Sequence, residues 1–262
     1  MANDAVLLDV RDGVAHVTLN RPDGANAINA DLANGLLAAA AAVEQDPSAR
    51  AVLLTGAGPR FCGGGDVRDF YDAGDALTEN IRGIIPALHN AISIFVRNDA
   101  PIVCAVQGSA AGAGMGFVGM SDIAVAGESA KFVMAYTQIG LSPDGSSSWF
   151  LPRVVGLKRA LELTLTNRVL SAQEALDYGL ITKVVADADV HTEAEALAVK
   201  LAQGPTVAYG IAKRLIHTSL EETFETHLAR EADGIVAASR TADARAGIVG
   251  FVEKHAPEFT GQ

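Results

Sequence analysis

The sequence predicts an α/β protein with a mainly parallel sheet, followed by a helical C-terminal region. Short apolar runs that end in glycine or a turn alternate with stretches of helix-forming residues, as in a parallel sheet with crossover helices. From about residue 189 onward the composition is helical and lacks β-branched runs. We therefore expect residues 1–200 to form an α/β core and residues 201–262 a helical region.

The first predicted elements are a hairpin, a helix and a buried strand. Residues 5–10 and 14–19 are rich in β-forming residues and flank Arg11-Asp12-Gly13, which favours a tight turn. The alanine-rich residues 31–45 have high helix propensity. AVLLTG, residues 51–56, is a short apolar run closed by glycine, which is typical of a strand buried on both faces.

The alternation of strands and helices continues along the chain. Residues 80–98 have helical composition, and we expect Pro86 near a helix start or at a kink there. The apolar runs 102–106 and 122–127 predict two more buried strands. Ser171-Ala172-Gln173-Glu174 has the capping-box pattern of a helix start, and Gly179 is well placed to follow that helix.

Composition limits the classes of function. With 20 basic and 31 acidic residues the net charge is −11, which opposes general binding to nucleic acid or an anionic membrane. No apolar run reaches transmembrane length, and the N-terminus does not resemble a signal peptide. Cys62 and Cys104 predict reduced thiols, and the histidines show no metal-ligand spacing. We expect a cytoplasmic protein without a metal site.

Glycine clusters are the candidates for ligand binding. Gly114 to Gly119 fits G-x-G-x-x-G, but neither the preceding strand nor the following acidic residue lies where a dinucleotide site needs it. Residues 61–66 and 108–114 each follow a predicted strand and leave backbone N–H groups accessible. Two such donors aimed at one atom would form an oxyanion hole. From these residues alone, ordinary tight turns explain the glycines equally well.

The order of segments resembles the enoyl-CoA hydratase/isomerase (crotonase) superfamily over nearly the whole chain. The motifs include LNRPDGANAIN, AVLLTGAGPRFCGGGDV, PIVCAVQGSAAGAG, SDIAVAGESAKFVMAYTQIGLSPDG, LSAQEALDYGLITKVV and FVEKHAPEF. The resemblance implies a spiral of ββα units with a C-terminal helical region, assembled as a homotrimer or a dimer of trimers. It also implies an acyl-CoA thioester substrate, with no cofactor beyond the coenzyme A moiety of that substrate.

The resemblance also implies particular site residues. By position, the N–H groups of Gly65 and Ala113 would form the oxyanion hole. Coenzyme A would be contacted along one groove and at the C-terminus by Ala25, Ala27, Gly63, Gly64, Asp66, Val67, Phe251 and Lys254. The last two match a C-terminal motif that often reaches the ligand of a neighbouring subunit. We expect Arg21, Arg60 and Arg68 to offer positive charge to the phosphates.

The chain departs from the family's hydratases at the positions of their two water-activating glutamates. Gly116 and Tyr136 stand there, so standard water addition lacks its acid and base. Asp144 resembles instead the proton-shuttling aspartate of the family's isomerases, which include enzymes for ring-opened or epoxidised phenylacetyl thioesters. From the residues alone, Asp144 also suits a helix N-cap, and Tyr136 suits either a pocket wall or a substrate-orienting hydroxyl.

We therefore expect an enoyl-CoA isomerase in which Asp144 moves a proton while Gly65 and Ala113 stabilise a thioester enolate. Three alternatives stay open. The chain would be a hydrolase or substitution enzyme if Asp144 were a nucleophile, a hydratase if other acids served, or an acyl-CoA-binding protein without turnover. Candidate apolar walls around the aspartate are Phe117, Trp149 and Phe150.

Overall fold

The computed structural model describes residues 4–262 and combines two β-sheets with surrounding helices. Within these residues the strands are β1 Val6–Arg11, β2 Val14–Leu19, β3 Ala51–Gly56, β4 Ile102–Val106, β5 Ser109–Ala111, β6 Ile123–Gly127, β7 Lys131–Val133, β8 Leu170–Ser171 and β9 Lys183–Val185. The helices are α1 Ala30–Gln45, α2 Val67–Ala73, α3 Leu77–Arg97, α4 Ala113–Met120, α5 Ser147–Val155, α6 Leu157–Thr166, α7 Ala172–Asp177, α8 Val190–Ala202, α9 Thr206–Thr218, α10 Phe224–Ala238 and α11 Ala242–Glu253. The predicted α/β class is confirmed.

The larger sheet has six strands in the order β1-β2-β3-β4-β6-β9, and the smaller one has the order β5-β7-β8. In the larger sheet β1 and β2 are antiparallel, and the other neighbours are parallel. Asp12 and Gly13 join β1 to β2 with positive φ at both positions, as the favoured two-residue hairpin turn requires. The predicted hairpin is therefore confirmed.

The chain passes repeatedly from the larger sheet to the smaller one and back through a helix. The segments β4-β5-α4 and β6-β7-α5 each follow this path, so strand, strand and helix repeat as a unit. After β3 the second strand is reduced to a single bridge between Cys62 and Ala110. This repetition forms a spiral of ββα units, and it stacks the turns that follow β3, β4 and β6.

Buried apolar side chains lie on both faces of the larger sheet. In β3, Val52 and Leu54 join the core shared with α1 and α3, whereas Ala51 and Leu53 join the core shared with α8. Successive side chains of a strand point to opposite faces, so a strand covered on both faces must be apolar throughout. This explains the apolar residues 51–54 of the segment from which β3 was predicted.

Two helices show where local sequence signals predicted a helix boundary correctly and where they did not. Ser171 and Glu174 form the predicted capping box, and Gly179 follows α7 with φ of 78°. Pro86, by contrast, lies in the interior of α3, so the expectation of a position near a helix start is wrong. The helix begins at Leu77, three residues before the predicted start at residue 80.

The C-terminal helices differ from the rest in how little they bury. Helix α8 crosses the predicted boundary at residue 200 and packs on the sheet through Val190, Ala194 and Ala198. Helix α10 has no fully buried residue. Apolar side chains exposed on α9 to α11 include Ile216, Phe224, Ile235, Ile248, Phe251 and Val252. In the part of the chain that the structure describes, no helix is long and apolar enough to cross a membrane.

Candidate active site

A cavity of about 430 Å³ lies among α3, two glycine-rich loops and the turn before α5. Gly65, Ala113 and Asp144, the three residues predicted to be catalytic, all line it. Most of the remaining lining is apolar: Ile28, Val67, Phe70, Ile81, Ile84, Ile85, Leu88, Ala135, Ile139 and Leu141. A concave apolar site with a few convergent polar groups is the usual form of a small-molecule site.

The two glycine-rich loops touch each other beside this cavity. Gly64 and Gly112 both have positive φ, at 86° and 52°. A Cβ on Gly64 would lie 2.8 Å from the carbonyl oxygen of Ala111, so a larger residue there would force the loops apart. The Cys62 N–H donates to Ser109, and the Ala111 N–H donates to Cys62. The loops are thus fixed together a few residues before Gly65 and Ala113.

On the side of the cavity formed by the two glycine-rich loops, the polar groups are the backbone N–H groups of Gly65 and Ala113. Among residues 4–262 neither N–H donates to a protein acceptor. Ala113 is the first residue of α4, where an N–H has no partner within the helix and the helix dipole favours negative charge. Two unpaired donors bordering one cavity suit the oxygen of a developing enolate.

Asp144 is held in place by hydrogen bonds to its neighbours. The Tyr136 hydroxyl donates to Oδ1 of Asp144 at 2.8 Å. The hydroxyl and the N–H of Ser147 donate to the Asp144 carbonyl oxygen at 2.6 and 3.1 Å. The N-cap of α5 is Ser146, and the Asp144 carboxylate accepts no bond from that helix. The N-cap interpretation of Asp144 is therefore wrong.

Tyr136 forms part of the cavity wall, which is one of the two roles that the sequence left open. Its side chain is buried and lines the cavity, and its hydroxyl is committed to Asp144. Burial raises the pKa of Tyr136 far above its ordinary value, and the nearby Asp144 charge raises it further. The phenol therefore stays protonated at neutral pH and acts as a donor, which leaves Oδ2 of Asp144 as the oxygen without that bond.

A glutamate at position 116, where the family's hydratases carry the first of their two catalytic glutamates, would have no room in this structure. A Cβ on Gly116 would overlap the carbonyl oxygen of Gly145 and lie 3.3 Å from the Ser147 nitrogen. Gly145 in turn has φ of 55°, and a Cβ there would lie 2.9 Å from the Ala113 Cβ. The turn that carries Asp144 thus rests directly on α4, and a side chain at Gly116 would have to displace it.

Apart from Phe251 and Lys254, the residues predicted to contact coenzyme A lie together next to Gly65. The Gly63 N–H donates to the Ala25 carbonyl oxygen at 2.8 Å. A Cβ on Gly63 would lie 3.5 Å from the Ala25 Cβ and 3.9 Å from the Ala27 Cβ. Gly63, Gly64 and Val67 line the cavity, and Val67 is half exposed at the start of α2. These small residues form a shallow surface that leads to Gly65.

The three arginines proposed for phosphate binding differ in whether their side chains already have a partner in the protein. Arg21 pairs with Asp66 at 2.9 Å and also donates to the Ala27 carbonyl, while Asp66 caps α2. Arg68 pairs with Asp72 at 3.1 Å. Arg60 is exposed, and its side chain has no hydrogen bond or ion pair within residues 4–262. Of the three arginines, Arg60 is therefore the one whose guanidinium group is available to a phosphate.

Several other predicted residues do not reach the cavity of this chain. Phe251 is 88% exposed near the end of α11, and Lys254 ends that helix in a left-handed conformation. Phe117 is buried in the core, whereas Trp149 and Phe150 border a separate groove beside α9 and α10. The expectation that these three aromatic residues wall the aspartate's pocket is wrong, because α3 occupies that position.

Helix α3 supplies one wall of the cavity. Ile81, Ile84, Ile85 and Leu88 follow the spacing i, i+3, i+4 and i+7 and line the cavity as one face of the helix. His89 stands four residues after Ile85, and its Nε2 lies 3.7 Å from Oδ2 of Asp144. The helical spacing could have placed His89 next to this face, but only the folded structure places it beside Asp144.

Comparisons with known proteins agree with this fold. The family model for enoyl-CoA hydratase/isomerase matches residues 9–262. The 1,2-epoxyphenylacetyl-CoA isomerase of Escherichia coli is 38% identical, with 98% of each chain covered. A 4-chlorobenzoyl coenzyme A dehalogenase of an Arthrobacter species is 36% identical, covering 86% of this chain and 82% of its own. An enoyl-CoA hydratase structure from a Polaromonas species superposes with a TM-score of 0.92 at 32% identity, covering 97% and 99% of the two chains. The chain belongs to the enoyl-CoA hydratase/isomerase family and has the crotonase fold.

Proposed function

We propose that this protein is an enoyl-CoA isomerase in which Asp144 moves a proton between two carbons of an acyl-CoA thioester. The observation that carries the proposal is the composition of the cavity: one carboxylate beside two free backbone donors, with no glutamate at either hydratase position. The isomerase name of the relative at 38% identity supports the same assignment.

In the proposed mechanism the thioester carbonyl oxygen accepts hydrogen bonds from the N–H groups of Gly65 and Ala113. The α-proton of a thioester is only weakly acidic, so its removal requires stabilisation of the developing enolate oxygen. Loss of one donor from such a site typically costs about 3–4 kcal/mol of transition-state stabilisation. No cofactor beyond the coenzyme A moiety enters any step.

Asp144 then acts as both base and acid. Its Oδ2 takes a proton from one carbon, and the electrons of that C–H bond move into the enolate, which extends over the neighbouring double bond. The same carboxyl group returns a proton to the other end of the conjugated system, so the double bond shifts and the carboxylate is regenerated. Tyr136 keeps the carboxylate oriented by its bond to Oδ1.

The walls of the cavity and the surface of the chain support the remaining parts of the proposal. Apolar residues from α3 favour an uncharged acyl group, either aliphatic or derived from an aromatic ring. Coenzyme A would lie along Ala25, Ala27, Gly63, Gly64, Asp66 and Val67. We extend the proposal to a cytoplasmic homotrimer or dimer of trimers, in which the exposed Phe251, with Lys254, reaches a neighbour's ligand.

The experiment that tests the proposal supplies 3-enoyl-CoA and 2-enoyl-CoA thioesters to the wild type and to Asp144→Asn, with products read by mass spectrometry. Asp189→Asn, an exposed carboxylate that lies outside the cavity, is the matched control. We expect interconversion by the wild type and the control but not by Asp144→Asn. A product heavier by one water, formed equally by all three proteins, would contradict the proposal and favour a hydratase.

A second candidate function is substitution or hydrolysis with Asp144 as the nucleophile. The contact between His89 and Asp144 favours it, because a histidine beside a covalent Asp144–substrate intermediate can accept a proton from the water that attacks this intermediate. The dehalogenase name of one relative is compatible with such chemistry. Single turnover in water labelled with heavy oxygen discriminates the two functions: a nucleophilic Asp144 gains the label in its peptide, whereas a proton-shuttling Asp144 does not.

A further inference from the structure

The side chain of His89 contacts Asp144 from outside the cavity. Asp144 lines the cavity, but His89 does not, and the His89 side chain is 47% exposed. Its Nε2 lies 3.7 Å from Oδ2, which is slightly longer than a hydrogen bond and within the range of an ion pair. A small rotation of either side chain would close this gap. Asp144 therefore stands between the acyl-binding space and a solvent-exposed imidazole.

The two oxygens of Asp144 have different neighbours. Oδ1 accepts the Tyr136 hydroxyl, which burial keeps protonated and which cannot accept a proton in exchange. Oδ2 faces the imidazole, the side chain that most readily carries protons near neutral pH. When an acyl group fills the cavity, it covers the face of Asp144 that lines this space. The Asp144 side chain is 35% exposed, and within residues 4–262 His89 is the basic side chain that contacts Oδ2.

We propose that His89 carries the proton held on Asp144 to and from solvent during turnover. The inference rests on the proposed isomerase function and adds a positioning and relay residue to it. Asp144 breaks the substrate C–H bond and holds the proton on Oδ2. The lone pair of neutral Nε2 accepts that proton, and the resulting imidazolium exchanges it with water. A solvent proton then returns through Nε2 to Oδ2 and to the second carbon, so one proton leaves, one enters and the charge is unchanged.

The relay decides which proton reaches the second carbon. Return of a proton to that carbon regenerates the Asp144 carboxylate whether the proton comes from the substrate or from solvent. The chemistry of the double-bond shift does not itself require this step, so the contribution of His89 is separable from that of Asp144.

The test measures how much solvent deuterium enters the product during isomerisation in deuterated water at low conversion. The proteins compared are the wild type, His89→Gln, His89→Ala and the control His191→Gln, an exposed histidine on α8. Glutamine can still donate to Oδ2 but cannot carry a proton through. We expect the wild type and the control to incorporate deuterium, and His89→Gln to retain the substrate proton several-fold more often. Free imidazole should restore incorporation in His89→Ala.

The outcomes separate this inference from the function on which it rests. If the wild type does not shift the double bond, the isomerase proposal itself is wrong. A shift with equal deuterium incorporation in the wild type and His89→Gln overturns the relay alone, because solvent then reaches Asp144 directly. The relay is overturned as well if the wild type incorporates no deuterium, or if imidazole fails to restore incorporation in His89→Ala.

Discussion

The two sides of the cavity are built from different parts of the polypeptide. On one side, Gly65 and Ala113 offer backbone N–H groups, which are fixed by the close contact of Gly64 with the opposite loop. On the other side, Tyr136 and Asp144 meet through their side chains. Backbone donors persist whatever side chains surround them, whereas a carboxylate can be lost by one substitution. The difference suggests that the fold fixes enolate stabilisation and that side chains select the reaction.

The sharpest test of this comparison is Asp144→Asn, which removes the proposed base and keeps the shape of the side chain. General acid–base catalysis typically contributes about 10²- to 10⁴-fold, so we expect kcat to fall by that factor. Binding of the thioester should change little, because the Gly65 and Ala113 donors remain. Steady-state kinetics and calorimetric titration with an acyl-CoA product check both quantities. A comparable loss of binding would mean that the two sides are not independent.

Gly64→Ala tests the backbone side. The new Cβ would lie 2.8 Å from the Ala111 oxygen at a residue whose φ is 86°, so the loop that carries Gly65 must shift. Losing one oxyanion donor costs about 10²- to 10³-fold in kcat, and a strained left-handed residue costs about 1–3 kcal/mol of stability. Kinetics and thermal unfolding measure the two effects.

The matched control for Gly64→Ala is Gly83→Ala in α3. A Cβ on Gly83 meets no atom within 4 Å, and alanine favours a helix over glycine by about 1 kcal/mol. We expect this variant to keep its activity and to unfold at a slightly higher temperature. If Gly64→Ala behaved in the same way as Gly83→Ala, the loops would be adaptable and the comparison between the two sides would fail.

How much of this arrangement the sequence could predict depends on the range of the interactions. The β1–β2 turn and the capping box at Ser171 depend on neighbouring residues, and both were predicted correctly. The contacts of Tyr136 and His89 with Asp144 join residues 8 and 55 positions apart (144 − 136 and 144 − 89). Such contacts depend on how the ββα units stack, which no local pattern contains. Family resemblance supplied Asp144 and the oxyanion donors, but it did not supply these partners.

Tyr136→Phe should have an intermediate effect, because it removes only the bond to Oδ1 and keeps the ring. A hydrogen bond to a charged group contributes about 1.5–3 kcal/mol, so we expect kcat to fall by about tenfold or more. The fall should be smaller than in Asp144→Asn, since Asp144 is still present. An equal fall in both variants would make Tyr136 part of the chemistry and not only a support for the carboxylate.

The same variant should change the stability of the protein at high pH. Burial raises the pKa of Tyr136 in the folded state, so its contribution is fully present below the unfolded pKa of about 10 and declines as the pH rises above it. The sign follows because the unfolded chain then releases a proton that the folded chain retains. Urea unfolding between about pH 9 and pH 11 should show a smaller loss of stability in Tyr136→Phe than in the wild type. If both proteins lost the same amount of stability, groups other than Tyr136 would be the cause of the loss at high pH.

The smallest expected effect belongs to Arg60, which we propose extends the backbone side toward the phosphates of coenzyme A. An exposed ion pair contributes about 0.2–1 kcal/mol, so Arg60→Gln should raise KM by less than about fivefold and leave kcat unchanged. The increase should vanish at high salt, because screening already weakens such a pair. Arg240→Gln, an exposed arginine in the C-terminal region, is the charge-matched control. A lower kcat in Arg60→Gln would contradict the division between substrate binding and chemistry, because a residue proposed only to bind would then affect the chemical step.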